Sequence, residues 1–251
     1  LGNRRKIHNS YNIDRLILIK KQIEFLRQVK HELSNIVFSF NIEEEHLEIL
    51  SKYINKIPKR IQNANVEIVL RKNVGMSYAA WVEYVYNKTK KYDYYIFNED
   101  DYFFTEDYFD KQLLDIFENK NNCGFLAAIS REASGWNQNR KHAGCSIGMA
   151  SKESLEIVKD DLIKILDNNG KTYTEAESIQ IDFTHCYIKK GLDIYDVRDK
   201  FRIPFSTTME NEKDVIVFFH YNQTDLVKPF IMLSDVYTFS VADLEEFKRY
   251  E

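Results

Sequence analysis

The chain has 251 residues, 44% of them hydrophobic and 14% aromatic, with a formal net charge of −4. That is apolar mass enough for one sizeable core, and it excludes a disordered chain. Acids and bases are interspersed, which leaves no basic stripe for nucleic acid and no polybasic patch for a membrane surface.

Apolar positions at helical spacing, Leu16, Ile19, Ile23, Leu26 and Val29, predict a helix over 14–33. Asn35 to Asn41 reads as a buried strand, and Glu43 to Ile57 as a second helix closed by Pro58. Val66 to Leu70 predicts a strand, Met76 to Lys88 a helix, and Tyr92 to Phe97 a strand that runs into acids. A helix over Glu106–Glu118 and a strand over Gly124–Ile129 follow. The second half is less regular: a strand at Cys145–Ala150, helices at Lys152–Leu166 and Ala176–Lys189, a late strand at Val215–His220 and a terminal helix at Val241–Tyr250. Alternating strands and helices favour a parallel sheet covered on both faces, with ligands beyond the carboxyl ends of the strands.

Cys123, Cys145 and Cys186 are odd in number and lack Cys-x-x-Cys spacing, which argues against a disulfide framework or zinc site and for a reducing, cytoplasmic compartment. No apolar run reaches the length of a membrane span, and no signal peptide is visible.

The junction Tyr94-Tyr95-Ile96-Phe97-Asn98-Glu99-Asp100-Asp101-Tyr102 carries the strongest chemical signal. Three adjacent anions at the end of a buried strand repel one another unless water or a cation compensates them. Carboxylates are hard ligands, so the cation implied is Mg²⁺ or Mn²⁺. One strand earlier, Arg71-Lys72-Asn73-Val74-Gly75 leads into a helix whose free amides suit an anion such as a diphosphate. Arg71 and Lys72 fit phosphate contact and a solvated surface equally well.

Asn73-x-Gly75, a helix beginning Tyr78-Ala79-Ala80, and a strand ending in Glu99-Asp100-Asp101 together resemble the GT-A glycosyltransferases of the family 2-like, inverting kind. The resemblance spans residues 35–220 and is most specific over 66–102. It implies a single α/β domain with a Rossmann-like, mostly parallel central sheet flanked by helices. The nucleotide-binding half would cover 1–102, the acceptor half 103–222, and a helical extension 223–251. It also implies metal-dependent transfer, in glycan biosynthesis, from a nucleotide-diphosphate sugar to a glycan or other hydroxyl acceptor, with Mn²⁺ or Mg²⁺ as cofactor. No nucleic acid or integral membrane segment is implied. The family opens with a strand and a nucleotide-binding loop, where this chain has only Leu1-Gly2-Asn3 before a basic segment.

Residue by residue, Glu99 and Asp101 take the outer positions of the family's Asp-x-Asp motif, with Asp101 the metal contact and Asp100 in the middle on the donor side. Glu stands where the family has its first Asp. His220, at the end of the late strand, corresponds to a histidine near metal and diphosphate. Asn41, Arg71, Asn73 and Gly75 fall on the donor side. Gly144 and Ser146 lie in the glycine-containing loop toward the acceptor, where Trp136 could stack on a sugar face or be a buried loop indole.

An inverting transfer needs a carboxylate base for the acceptor hydroxyl. Thr174-Glu175-Ala176-Glu177 begins a helix where similar enzymes carry that acid, which leaves Glu177 favoured and Glu175 and Asp182 as alternatives. The helix dipole alone also favours acids there. Two rival readings remain: a nucleotidyltransferase acting on sugar phosphates, which should show a glycine-rich basic loop near the start, and a non-catalytic carbohydrate-binding descendant of the fold.

Overall fold

The computed structural model describes residues 15–42, 51, 54–72, 76–88, 91–99, 102–104, 106–128, 130–131, 140–143, 148–167, 173–197 and 230–232. The elements in order are α1 (Arg15–Gln28), β1 (Asn35–Ile42), β2 (Arg60–Ile61), β3 (Ala64–Lys72), α2 (Met76–Asn87), β4 (Tyr94–Phe97), β5 (Tyr102–Phe104), α3 (Phe109–Glu118), β6 (Cys123–Ala127), β7 (Ser130–Arg131), β8 (His142–Ala143), β9 (Gly148–Ser151), α4 (Lys152–Ile163), a 3₁₀ turn (Lys164–Asp167), α5 (Tyr173–Lys189), β10 (Asp193–Asp196) and β11 (Phe230–Met232).

Period-two alternation builds two apolar layers. Ile36 and Phe38 of β1, Ile96 of β4, and Leu126 and Ala128 around β6 join one cluster with α1 and α3. Phe97, Phe125, Ala127 and Ala150 join the other with α2, α4 and α5. Both faces of the strands are therefore covered by helices, as an α/β layer architecture requires.

The sheets are mixed, where the sequence pattern predicts mostly parallel pairing. β1 and β3 pair in parallel from Asn35↔Asn65 to Ile42↔Lys72, and β10 pairs in parallel with β6. β9 runs antiparallel to both β4 and β6. Gly148 permits this insertion, because a Cβ there would lie 2.1 Å from the Leu126 carbonyl oxygen. β2 with β3, β5 with β11, and β7 with β8 are also antiparallel.

Several boundaries differ from the sequence pattern for local reasons. α1 stops at Gln28 because Gln62, in the β2–β3 turn, donates its amide to the carbonyls of Leu26 and Val29 at 2.9 and 2.5 Å. This satisfies the end of the helix. α3 begins at Phe109 because Tyr108 takes a left-handed conformation (φ 59°) and Asp107 turns to accept the amide of Lys30 at 2.7 Å. Of the strand expected at Cys145–Ala150, residues 148–150 lie in β9 and 145–147 lie outside the described residues, while the helix expected to Leu166 ends at Ile163 before the 3₁₀ turn. The expected elements at 215–220 and 241–250, and most of the helix over 43–57, lie outside the described residues.

Among the described residues no helix is long and apolar enough to cross a membrane. Cys123 and Cys186 carry free thiols that burial pushes up to about 12, so they persist as thiols rather than reactive thiolates.

One buried polar group couples this core to pH. His31 sits between the end of α1 and α3, 4% exposed, edge-on to Phe109 at 6.1 Å. Its Nε2–H donates to the Leu26 carbonyl at 3.1 Å, while Nδ1 is buried without a partner. Desolvation holds its pKa below 6.5, against the opposing pull of the Asp110 carboxylate and the Leu26 carbonyl. The unfolded chain thus takes up a proton near 6.5 before the folded chain does, and stability falls as pH drops below that value. Urea unfolding from pH 7.5 to 5 should show this fall, and His31→Gln should flatten it by up to about 1.4 kcal/mol per pH unit, the limit for one proton. Parallel pH profiles for the two proteins would refute the assignment.

Candidate functional site

Strand polarity decides where a site can form. β4 and β6 both oppose β9, so they run in the same direction, and β10 runs with β6. Their carboxyl ends fall on one edge, where Phe97, Gly148, Ala127 and Asp196 make a row across the sheet.

The first turn of α2 reaches that edge. Ser77, in the first turn of α2, donates its hydroxyl to Glu99 Oε1 at 2.8 Å, just past the end of β4. The backbone carbonyl of Glu99 accepts from Nε2 of buried Gln22, on α1, at 2.6 Å. The first acid of the trio is therefore held from both helical layers.

Asn41 and Arg71 face each other across the β1–β3 ladder near the carboxyl ends of those strands. Arg71 Nη1 donates to Asn41 Oδ1 at 2.7 Å, and Nε donates to Glu83 of α2 at 2.9 Å. The Arg71 side chain is only 9% exposed. Its charge is answered by Glu83, whose own side chain is exposed, and it braces β1, β3 and α2. Asn41 is exposed at the tip.

The opposite side of the edge is a polar collar. Ser130 pairs with Ala143 and Arg131 with His142. Buried Asp196 accepts the amide of Ser130 at 2.5 Å, and wholly buried Thr184 of α5 accepts the amide of Ala143 at 2.8 Å. Asp182 holds Arg140 at 2.6 Å, and His185 Nδ1–H donates to the Lys141 carbonyl at 3.0 Å. α5 thus grips residues 140–143 side chain by side chain. Asp182, an alternative base by sequence, is here the anchor of Arg140.

The backbone of α5 carries positions 175 and 177 in its first two turns. Helical periodicity puts position 177 on the stripe of Thr184 and position 175 on that of Asp182. Asp100, Asp101 and His220 of the expected metal set lie outside the described residues, as do Asn73, Gly75, Trp136, Gly144 and Ser146. Among the described residues no group of three or more His, Cys, Asp or Glu side chains is assembled to hold a metal ion.

Sequence reasoning did not single out Ser77, Gln22, Thr184 or Asp196. Ser77 had a weak local signal, a hydroxyl beside a helix start that otherwise reads apolar and aromatic. The others act through tertiary pairs that leave no trace in spacing. No protein-family model, no curated protein and no solved structure matches the chain.

The collar makes a direct test possible. Thr184→Val keeps the shape of the side chain but leaves the Ala143 amide without its acceptor. Denaturant unfolding should show a loss of about 1–3 kcal/mol. A variant as stable as the parent would mean that this bond does not hold β8 to α5.

Proposed function

We propose that this chain is a GT-A-type glycosyltransferase that moves a sugar from a nucleotide-diphosphate donor to a glycan or other hydroxyl acceptor, with inversion and dependence on Mn²⁺ or Mg²⁺. The observation that carries the reading is the edge on which the carboxyl ends of β4, β6 and β10 lie in a row, with Glu99 just past β4 held there by Ser77 of α2. In open α/β folds that edge is where ligands bind. The acidic run begins there with Glu99, which follows β4.

In this reading the nucleotide lies on the β1–β3 side, against Asn41 and the turn 71–75. Arg71 contributes by keeping Asn41 in place. Asp101, with Glu99 or Asp100 and with His220, would hold the cation. When bound, it supplies Lewis-acid stabilisation of the charge that develops on the leaving diphosphate. The hard oxygen donors of the acidic run suit that ion.

The acceptor approaches from the collar side. Residues 132–139, which include Trp136, connect β7 to the 140–143 segment that α5 grips. Glu177 takes the proton from the acceptor hydroxyl as the new bond to the anomeric carbon forms. Glu175, also in the first two turns of α5, is the alternative. The engagement of Asp182 by Arg140 supports a scaffolding role for that acid.

Two variants test the two halves of this reading. Asp101→Asn should abolish the Mn²⁺-dependent part of nucleotide binding in calorimetry while leaving the melting curve in place; metal-dependent binding equal to the parent's would contradict the metal assignment. Glu177→Gln should slow transfer by about 10²–10⁴-fold with donor affinity retained, the usual cost of losing a general base. If Glu177→Gln transfers at the parent rate while Glu175→Gln or Asp182→Asn is inactive, the base is that other residue.

A further inference from the structure

The end of α1 and the start of α3 bring together two buried atoms that both lack a hydrogen-bond donor. His31 donates Nε2–H to the Leu26 carbonyl, which can only accept, so in the neutral ring Nδ1 carries the lone pair. That nitrogen is buried and has no partner among the described residues. Asp110, in the first turn of α3, accepts the Glu32 amide on Oδ2 at 2.7 Å, while its Oδ1 is likewise buried and unpartnered. Glu32 follows His31 in the chain, and Phe109, which precedes Asp110, meets the imidazole edge-on at 6.1 Å. The carboxylate therefore lies beside the ring.

Folded proteins leave few buried polar atoms unpaired, because each carries its desolvation cost. Two acceptors cannot satisfy one another, but a single proton on the ring satisfies both. We infer that His31 and Asp110 form a proton-binding site that joins α1 to α3: a proton taken from solvent by Nδ1 is donated to Asp110 Oδ1, while Nε2–H stays on Leu26. The new bond joins a cation to an anion, the stronger kind of hydrogen bond.

The surrounding charges leave Asp110 as the group that answers the ring. On the same segment, Lys30 pairs with Asp107 at 3.5 Å and Glu32 with Lys111 at 2.6 Å, both at the surface. From the β2–β3 turn comes only the neutral amide of Gln62, which shares the Leu26 carbonyl at 2.9 Å. Burial lowers the proton affinity of the ring and Asp110 restores part of it, so the bond closes below pH 6.5. Leu26 lies one turn beyond Gln22, whose amide holds the Glu99 carbonyl at 2.6 Å. The proton thus acts on the helix that reaches the candidate site, whatever ligand that site takes.

NMR of the imidazole in the full chain tests this, with Asp110→Asn and, as control, Asp107→Asn. At about pH 7.5 the parent should show the Nε2–H tautomer. Below its midpoint, the parent should gain an Nδ1–H resonance protected from exchange with water. In Asp110→Asn the amide oxygen still accepts from Glu32 and the NH₂ turns to the Nδ1 lone pair. His31 should then bind its proton about tenfold more weakly and show no protected Nδ1–H. Asp107→Asn, altered at the carboxylate that faces Lys30, should titrate within about twofold of the parent. Equal titration of His31 in the parent and Asp110→Asn, or an Nδ1–H that exchanges freely once the ring is charged, would overturn the site. Should Asp110→Asn not fold, the tautomer and the protected Nδ1–H of the parent decide the matter alone.

Discussion

The arrangement depends on a cluster of aromatic rings that four elements share. Phe97, the last residue of β4, stacks with Phe125 of β6 at 6.2 Å and meets Phe183 of α5 edge-on at 5.6 Å. Trp81 of α2 packs on Phe97 at 5.4 Å and on Phe183 at 5.5 Å, and Tyr78 of α2 reaches Phe183 at 5.8 Å. Replacing one such buried ring by alanine costs about 3–5 kcal/mol, a large share of the stability of an ordinary domain. The same elements carry the polar residues of the edge: Ser77 lies beside Tyr78, Glu99 follows Phe97 closely, and Asp182 and Thr184 flank Phe183. Ring packing below the edge thus sets the positions of the polar groups above it.

The polar bonds at the edge solve a different problem. Strands that end together leave backbone amides that water or protein must satisfy. Asp196 and Thr184 answer two of them, at Ser130 and Ala143, and both acceptors are buried. A buried acceptor that lost its donor would carry its full desolvation cost, so these bonds resist breaking even where each is worth little in net stability. On the β1–β3 side, Arg71 plays the corresponding part with Asn41 and Glu83. Both sides of the site are thus braced by side chains that folding brings together.

Much of the architecture was written in hydrophobic period. The 3.6-residue spacing of Ile19, Ile23 and Leu26 gave α1 its buried face, and the two-residue alternation through Phe125, Leu126 and Ala127 gave β6 its two covered faces. Strand direction was not written there. A four-residue strand such as β9 has the same apolar pattern read either way; it lies antiparallel between β4 and β6, at a close approach to Leu126 that Gly148 permits. β10 escaped notice because Asp193 and Asp196 bracket just two apolar positions. At the site, the place of the acids was legible as an apolar strand ending in charge. The partners of those acids were not, because Ser77 and Gln22 are joined to Glu99 by tertiary contact alone. Arg71 shows the same limit: beside Lys72 it reads equally as a phosphate contact or a surface charge, and folding buries its side chain beside Glu83.

The central claim is that this edge binds a nucleotide-linked sugar with the help of a divalent cation. Calorimetric titration of the full chain with UDP-, GDP- and dTDP-linked sugars, with and without Mn²⁺, tests it most directly. One nucleotide class should bind, and Mn²⁺ should tighten it by about tenfold or more, on the order of 1.4 kcal/mol. Binding of none of the donors, or binding indifferent to Mn²⁺, would contradict it.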